Sequence, residues 1–440
     1  AKMRETYQIT EYGSFTRGKE MPGSVSLPPD TFDALENFIL SNNRAGDADA
    51  LELMGISARK GIGKIITAKN YVGVISMNDS ATIEILPKIF TQEGISEKNV
   101  KRLLVDMLRT LSNSPFKSLQ STGVNIDKLN IFEIFIRMFV GEVFCIIKRG
   151  LKSDYETIRS NENTFKGKMI FSGQIRYNYA HKERCFVEYD EFNINRAENK
   201  ILKSTLRYLY RKTTSSRNKS DIKTLLNAFS EVDESKDYKA DFSKIVPDRK
   251  TTDYQTALLW SKVFLMGNSF TSFSGSEIAF ALLFPMETLF ESYVATKLRE
   301  AISHLGYTIS VQDRRYHLFD EPRKFRITPD IVIRDRESKH VFVMDTKWKL
   351  LSDTKLNYGI SQSDMYQMYV YQKKYVAENA TLLYPCTDKI DQSKDIRFIS
   401  HEEHDRIEIK IRFVDLFDIK KSLENIRKRL KVGSFTANIR

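Results

Sequence analysis

The chain has 440 residues, too many for one compact core, so two or three domains are expected. Its apolar content is 41%, and no apolar run approaches the ~18 residues of a membrane span, so neither a spanning helix nor a membrane partner is expected. Lys and Arg outnumber Asp and Glu by 69 to 57, a net charge of +12 that suits a polyanion such as DNA, because released counterions drive phosphate binding.

Ala1 to Glu5 carry no apolar signal-peptide core, so a cytoplasmic location is expected. Cys145, Cys185 and Cys386 lie far apart and outside any CxxC spacing, which argues against a disulfide scaffold or a cysteine zinc site. Cys145 falls within an apolar helical run and is expected to be buried. His401 and His404 frame HEEH, one residue short of the HExxH zinc helix and without a third ligand, so no zinc role is assigned.

In chain order, the pattern predicts an α+β protein. Residues 1–95 are β-rich, with a helix over Asp30–Leu40 and a hairpin in which Tyr71–Met77 and Ala81–Pro87 flank Asn78-Asp79-Ser80. Residues 96–275 are mostly helical. One helix begins at Ser96, a second runs from Leu129 to Ile147 with apolar residues almost all round, and a third carries Leu202, Leu206 and Leu209. The polar runs Thr213–Ser220 and Asp233–Asp237 read as loops. Residues 276–440 read as helix (Met286–Leu298), three strands (Tyr307–Leu318, Asp330–Ile333, His340–Lys347), helix (Ser361–Ala377) and strand (Ala380–Tyr384). A basic helix with Lys420, Lys421, Arg427, Lys428, Arg429 and Lys431 closes the chain.

The chemistry concentrates in Thr328-Pro329-Asp330-Ile331-Val332-Ile333 and Val341-Phe342-Val343-Met344-Asp345-Thr346-Lys347. Alternate residues of a strand share a face, so Asp345 and Lys347 point the same way at the end of an apolar strand. Two carboxylates are what a hard divalent cation such as Mg²⁺ needs for phosphodiester hydrolysis, and a lysine nearby orients water or stabilises charge on phosphorus. Asp330 and Asp345 suit the metal, Thr346 offers its backbone carbonyl, and Lys347 is the amine. The competing reading is an ordinary surface Asp–Lys pair ending a strand.

This frame of helix, three-stranded meander, helix and strand resembles the PD-(D/E)xK nuclease superfamily with a mixed sheet. More narrowly, the chain resembles the McrC family, the nuclease subunit of McrBC-type restriction systems that act on modified DNA. The resemblance rests on Tyr71–Ile75 with Ile83–Ile89, Phe165–Phe171, Asn199–Leu206, Met286–Val294, Asp345-Thr346-Lys347-Trp348, Met365–Tyr371 and Leu383-Tyr384-Pro385, all in order. It implies an endodeoxyribonuclease with Asp330, Asp345 and Lys347 as the catalytic set. Glu291 would be an accessory acidic position near the metal, and Gln367 and Tyr371 accessory residues on the helix after the catalytic strand.

The resemblance also implies a McrB-like AAA+ GTPase ring as partner, docked through residues 1 to about 275 and stimulated by this chain. Lys60-Gly61-Ile62-Gly63-Lys64 lacks the P-loop pattern, so no nucleotide is expected on this chain alone and GTP enters through the partner. Within the N-terminal portion, Tyr155, Phe171, Arg176, Tyr177 and Tyr179 offer aromatic and basic groups for DNA. Two other functions fit the same residues. One is a stand-alone structure-specific nuclease; the other is a non-catalytic adaptor that activates an AAA+ GTPase through a degenerate nuclease fold.

Overall fold

Alternating apolar residues broken by glycine and polar turns set the N-terminal strands, and runs at helical spacing set the helices. The computed structural model describes residues 5–41, 53–77, 81–91, 96–111, 130–245, 253–266, 278–391, 394–401 and 406–432. They gather into two units: one holds the described residues up to 111 and from 278 onward, the other those from 130 to 266. The segments 1–95 and 276–440 therefore share a compact unit, which the three-segment division of the sequence does not convey. Among the described residues no helix is long and apolar enough to cross a membrane.

The first unit opens with β1 (Thr6–Thr10), β2 (Ser14–Arg17), β3 (Ser24–Leu27), α1 (Pro29–Ser41), β4 (Met54–Arg59), β5 (Gly63–Ala68), β6 (Tyr71–Met77), β7 (Thr82–Leu86) and α2 (Glu97–Thr110). Strands β3-β2-β5-β4 make one sheet in that order. The glycine- and lysine-rich run at 60–64 is the turn between β4 and β5, where Gly61 and Gly63 take positive φ and a strand, not a helix, follows. Strands β6 and β7 pair antiparallel as the hairpin expected at 71–87, while residues 78–80 of its turn lie outside the described residues. Ser96 caps α2 by accepting from Asn99 N–H at 3.4 Å.

The second unit contains α3 (Ile131–Arg149), β8 (Asp154–Glu162), β9 (Lys168–Met169), α4 (Phe171–Tyr177), β10 (Cys185–Asn193), α5 (Ala197–Lys212), α6 (Ser216–Ala228), α7 (Tyr238–Ser243) and α8 (Gln255–Met266). Helix α3 buries Ile131, Phe135, Phe139 and Val143, and Trp260 of α8 stacks on Phe264 within the same core. Cys145 is exposed, contrary to expectation, because Gly141, Cys145 and Lys148 form one stripe of α3 that faces outward. Nor is this region helical throughout: β8, β10 and β9 form a three-stranded sheet. Polar residues occupy both faces of β8 and β10, so an apolar period was missing from the sequence.

The run Thr213–Ser220 is likewise only half a loop. Ser215 caps α6, and the buried Glu133 carboxylate accepts from Thr213 Oγ1 (2.5 Å), Thr214 N–H (2.6 Å) and Asn218 Nδ2 (2.8 Å). A partner 80 residues away in sequence decides the conformation of this run.

The chain re-enters the first unit through β11 (Ile278–Pro285), which pairs antiparallel with β6 and completes the sheet β1-β7-β6-β11. Gly73 on β6 makes this approach possible. Its φ is 141°, and a Cβ there would lie 2.0 Å from the Leu282 carbonyl oxygen. Strand β11 runs directly into α9 (Met286–Ile302), whose Met286 N–H donates to Asn70 O at 2.9 Å. A strand of the N-terminal sheet thus lies inside the segment read from sequence as a separate C-terminal domain.

There follow β12 (Tyr307–Val311), β13 (His317–Phe319), β14 (Lys324–Arg326), β15 (Ile331–Asp335), β16 (Val341–Thr346), α10 (Gln362–Tyr375), β17 (Asn379–Pro385), β18 (Arg397–His401), β19 (Arg406–Val414) and α11 (Ile419–Val432). A six-stranded mixed sheet runs β12-β15-β16-β17-β19-β18. Strands β12, β15 and β16 form an antiparallel meander; β16 pairs parallel with β17 after the α10 crossover. Val332, Val343, Leu382, Met368 and Tyr371 pack into the core between sheet and α10.

The expected strand Tyr307–Leu318 is two elements. It breaks at Gln312, which takes a positive φ of 50°. Asp313 then turns inward to accept from Tyr375 Oη (3.0 Å) and Arg334 (3.1 Å). Among the described residues, strands β13 and β14 pair only with each other.

Candidate active site

Strand register brings the two central acids together. Ile331 stands opposite Met344 in the antiparallel β15–β16 pair, so one step outward puts Asp330 opposite Asp345 on a shared face. Past the end of β16, Lys347 N–H donates to Leu383 O at 2.9 Å, which holds the backbone extended. The ammonium therefore stays on the Asp345 side, with Nζ 2.7 Å from Oδ2. Asp345 is 2% exposed, and its Oδ2 meets no hydrogen-bond donor in good geometry.

Asp330 is fixed from two directions. Its Oδ2 accepts from Thr346 N–H (2.8 Å) and Thr346 Oγ1 (2.6 Å). Its Oδ1 accepts from Gln312 Nε2 at 3.3 Å, and Gln312 also donates to Glu291 on α9. The visible work of Thr346 is thus to orient Asp330 through its N–H and hydroxyl.

On the other side, Lys347 Nζ donates to Gln367 Oε1 at 3.1 Å and lies 3.6 Å from Asp364. Gln367 donates to Tyr371 Oη (2.6 Å), and Tyr371 donates to Thr328 O (3.0 Å), closing a loop back to the segment before Asp330. Asp364, Gln367 and Tyr371 share a face of α10 at spacings of three and four. Ser361 caps that helix by accepting from Asp364 N–H at 3.1 Å.

Electrostatically the cluster is strained. Burial first, then the Glu291 carboxylate for Asp330 and the Asp330 carboxylate for Asp345, push the two carboxyls up to about 6. Burial also raises Glu291, with Gln312 opposing it and Asp345 adding to it. Burial draws the Lys347 ammonium down, but Asp345, Asp364 and Asp330 outweigh it and leave the group raised. The two facing acids are short of positive charge, the condition a divalent cation would relieve. Among the described residues no three His, Cys, Asp or Glu side chains form a ligand cluster. A cation here would rest on two carboxylates, with the remaining oxygens from backbone and water, as Mg²⁺ commonly does.

Gln312, Asp364 and Trp348 were not singled out by the sequence reading. Trp348, next to Lys347, is 5% exposed and packs on Phe290 of α9 at 5.4 Å. Its Nε1 donates to the buried Glu11 Oε1 at 2.7 Å, which also accepts from Lys88 N–H at 2.8 Å; Lys88 Nζ reaches Trp348 O at 3.0 Å. Burial pushes the Glu11 carboxyl up and the Lys88 ammonium down, each partly held by the other. The N-terminal sheet thereby braces the strand end that carries Lys347. Lys88 and Trp348 both lie in stretches that carried the family resemblance, and Ser361-x-x-Asp364 is a capping pattern visible in sequence.

All six side chains expected at the site (Glu291, Asp330, Asp345, Lys347, Gln367, Tyr371) fall within this one network. Tyr155, Phe171, Tyr177 and Tyr179 belong to the second unit, where all are exposed, and Arg176 lies over the Tyr177 ring. In HEEH, residues 402–404 lie outside the described residues.

Fold and site define a mixed α/β protein in which a carboxylate pair and a lysine meet at the rim of a six-stranded sheet. The family model of the McrBC 5-methylcytosine restriction system component matches residues 66–385, and the chain belongs to that family. A chain in the refined half-complex of Thermococcus gammatolerans McrB AAA+ hexamers with bound McrC shares the fold. It has 19% identity and a TM-score of 0.71, covering 97% of this chain and 100% of that one. A chain of the Thermococcus gammatolerans McrBC complex aligns over 66% of this chain and 86% of its own, at 19% identity and a TM-score of 0.49. No curated protein matches the chain.

Proposed function

We propose that this chain is the Mg²⁺-dependent DNA endonuclease subunit of a McrBC-like restriction complex, built on a PD-(D/E)xK core. The observation that carries the reading is the placement of Asp330 opposite Asp345 with Lys347 Nζ 2.7 Å from Asp345. The order α9, β12, β15, β16, α10, β17 supports it, as does family membership.

Asp330 and Asp345 would hold the cation, with the Thr346 carbonyl and water as further oxygen donors, while Glu291, joined to Asp330 through Gln312, is an accessory acid behind them. When bound, the cation supplies Lewis acidity toward the phosphate and lowers the pKa of a water. The protein's own part is positional. Thr346 and Gln312 fix the Asp330 rotamer, so both acids face one point without reorganising. Lys347, held by Gln367 and Asp345, presents a proton-rich amine to the attacking water or to charge building on phosphate oxygens. Tyr371, raised to about 12 by burial and the two acids, stays neutral and serves as an anchor for Gln367.

The AAA+ ring bound by the similar Thermococcus gammatolerans McrC points to such a ring as partner here, and the family resemblance implies that the ring is a GTPase. The test reconstitutes the complex with a McrB-like partner and methylated DNA. Asp345→Asn and Lys347→Ala are each expected to lower the cleavage rate by roughly 10³-fold while partner GTPase stimulation persists. Undiminished cleavage by Asp345→Asn would leave only the activator role.

A further inference from the structure

Between Gln312, which touches Asp330, and Asp330 itself the chain makes the excursion β13–β14, a two-stranded ribbon that among the described residues joins no other sheet. Residues 314–326 carry Arg314, Arg315, Arg323, Lys324 and Arg326 against only Asp320 and Glu321. Lys374 of α10 neutralises Asp320 at 3.0 Å. Among the described residues Arg314, Lys324 and Arg326 have no ion-pair partner, and all three are exposed. Phe319 and Phe325 stand out at 54% and 70% exposure with their rings edge to face at 5.9 Å. Phe325 also holds a positive φ of 57°, a conformation that is costly for an aromatic residue and that no burial repays here.

The ribbon is held firmly at its root. Ile327 N–H donates to Tyr316 O at 3.1 Å, and the Tyr316 ring packs on Tyr375 at 4.7 Å. Tyr375 is one turn beyond Tyr371 on the same helix, and its hydroxyl donates to Asp313. Arg323 stiffens the ribbon itself by donating to Arg315 O and His317 Nδ1. A cationic, aromatic-tipped ribbon is therefore fixed to the same helix that positions Lys347.

We infer that the β13–β14 ribbon grips duplex DNA beside the carboxylate pair, its basic side chains on phosphates and its two phenylalanines in a groove. A two-stranded ribbon fits the major groove, and five basic groups on one short excursion match a phosphate backbone rather than an apolar protein surface. The inference rests on the endonuclease reading, which it extends by naming the element that holds the substrate.

The test uses the full-length chain and a fluorescent DNA duplex, followed by anisotropy across a salt series without divalent cation. Lys324→Ala/Arg326→Ala is expected to weaken duplex binding about ten-fold, with the slope of log affinity on log salt shallower by about two. Phe325→Ala is expected to weaken binding with the salt slope unchanged. Because these side chains are exposed, melting temperatures should match the parent. A matched pair of changes on α11, Lys420→Ala/Lys421→Ala, gives the reference for loss of net charge alone. Four results would overturn the inference: parental affinity and slope in the ribbon variant, an equal loss from the α11 pair, no duplex binding by the parent chain, or loss confined to single-stranded DNA. Asp345→Asn separates the two readings. If it cuts as the parent does, the nuclease reading fails, whatever the ribbon binds; if it binds duplex without cutting while the ribbon variant binds normally, only the ribbon assignment falls.

Discussion

Two buried carboxylates in this protein have opposite surroundings. Glu133 in the second unit is 3% exposed and accepts from Thr213, Thr214, Ser215 and Asn218, so its lone pairs are matched by donors. Asp345 in the first unit is 2% exposed, faces Asp330, and has one ammonium beside it. A carboxylate surrounded by donors is a structural hub: its charge organises a loop and a helix start. A carboxylate facing another carboxylate costs stability, and the cost makes sense where a cation or substrate is to be received.

The largest effect that would sharpen this contrast is on stability at the hub. Glu133→Ala removes the carboxylate that donors from four residues share and should destabilise the chain by roughly 3 kcal/mol in denaturant unfolding, with cleavage by surviving folded protein intact. A loss below about 0.5 kcal/mol would mean the hub is ornamental.

Next in size, Asp330→Asn should stabilise the cation-free protein by on the order of 1–2 kcal/mol above pH 6. The sign follows from the raised carboxyl. Its folded value of about 6 lies above the unfolded one near 3.8, so the native carboxyl favours its proton. The folded state loses stability as pH rises through that interval, and the amide, which does not ionise, escapes the loss. Melting curves at pH 4 and pH 8 should therefore show the variant's advantage only at the higher pH; an advantage independent of pH would assign it to packing.

The smallest effect is on cation affinity. Protons and a divalent cation compete for Asp330 and Asp345, so Mn²⁺ binding by calorimetry should weaken by up to about ten-fold per pH unit, for each proton displaced, below about pH 6. A flat profile from pH 5 to 7 would place the cation elsewhere.

Much of the site was legible in the sequence because it is written in short periods. Asp345 and Lys347 lie two apart on an extended strand, and Gln367 and Tyr371 lie one helical turn apart; each pair shares a face whatever surrounds it. Gln312 was not legible. Asp313-Arg314-Arg315 interrupt the apolar pattern beside it, but its role depends on a positive φ that no residue type at Val311-Gln312 announces. The Glu11–Trp348 bond joins residues 337 apart, and no local pattern selects such a partner.

The same division holds for the fold. The sequence by itself determined the helices α1, α2, α9 and α10, the β6–β7 hairpin and the order of elements around Asp330 and Asp345, since hydrophobic period and capping act within one or two turns. Only the tertiary structure decided that β11 closes the N-terminal sheet against Gly73, that a small exposed sheet interrupts the helical middle, and that two acids from different strands face one another. These choices depend on which distant surfaces exclude water together and which buried charges then meet, and neither quantity is a property of any short stretch of chain.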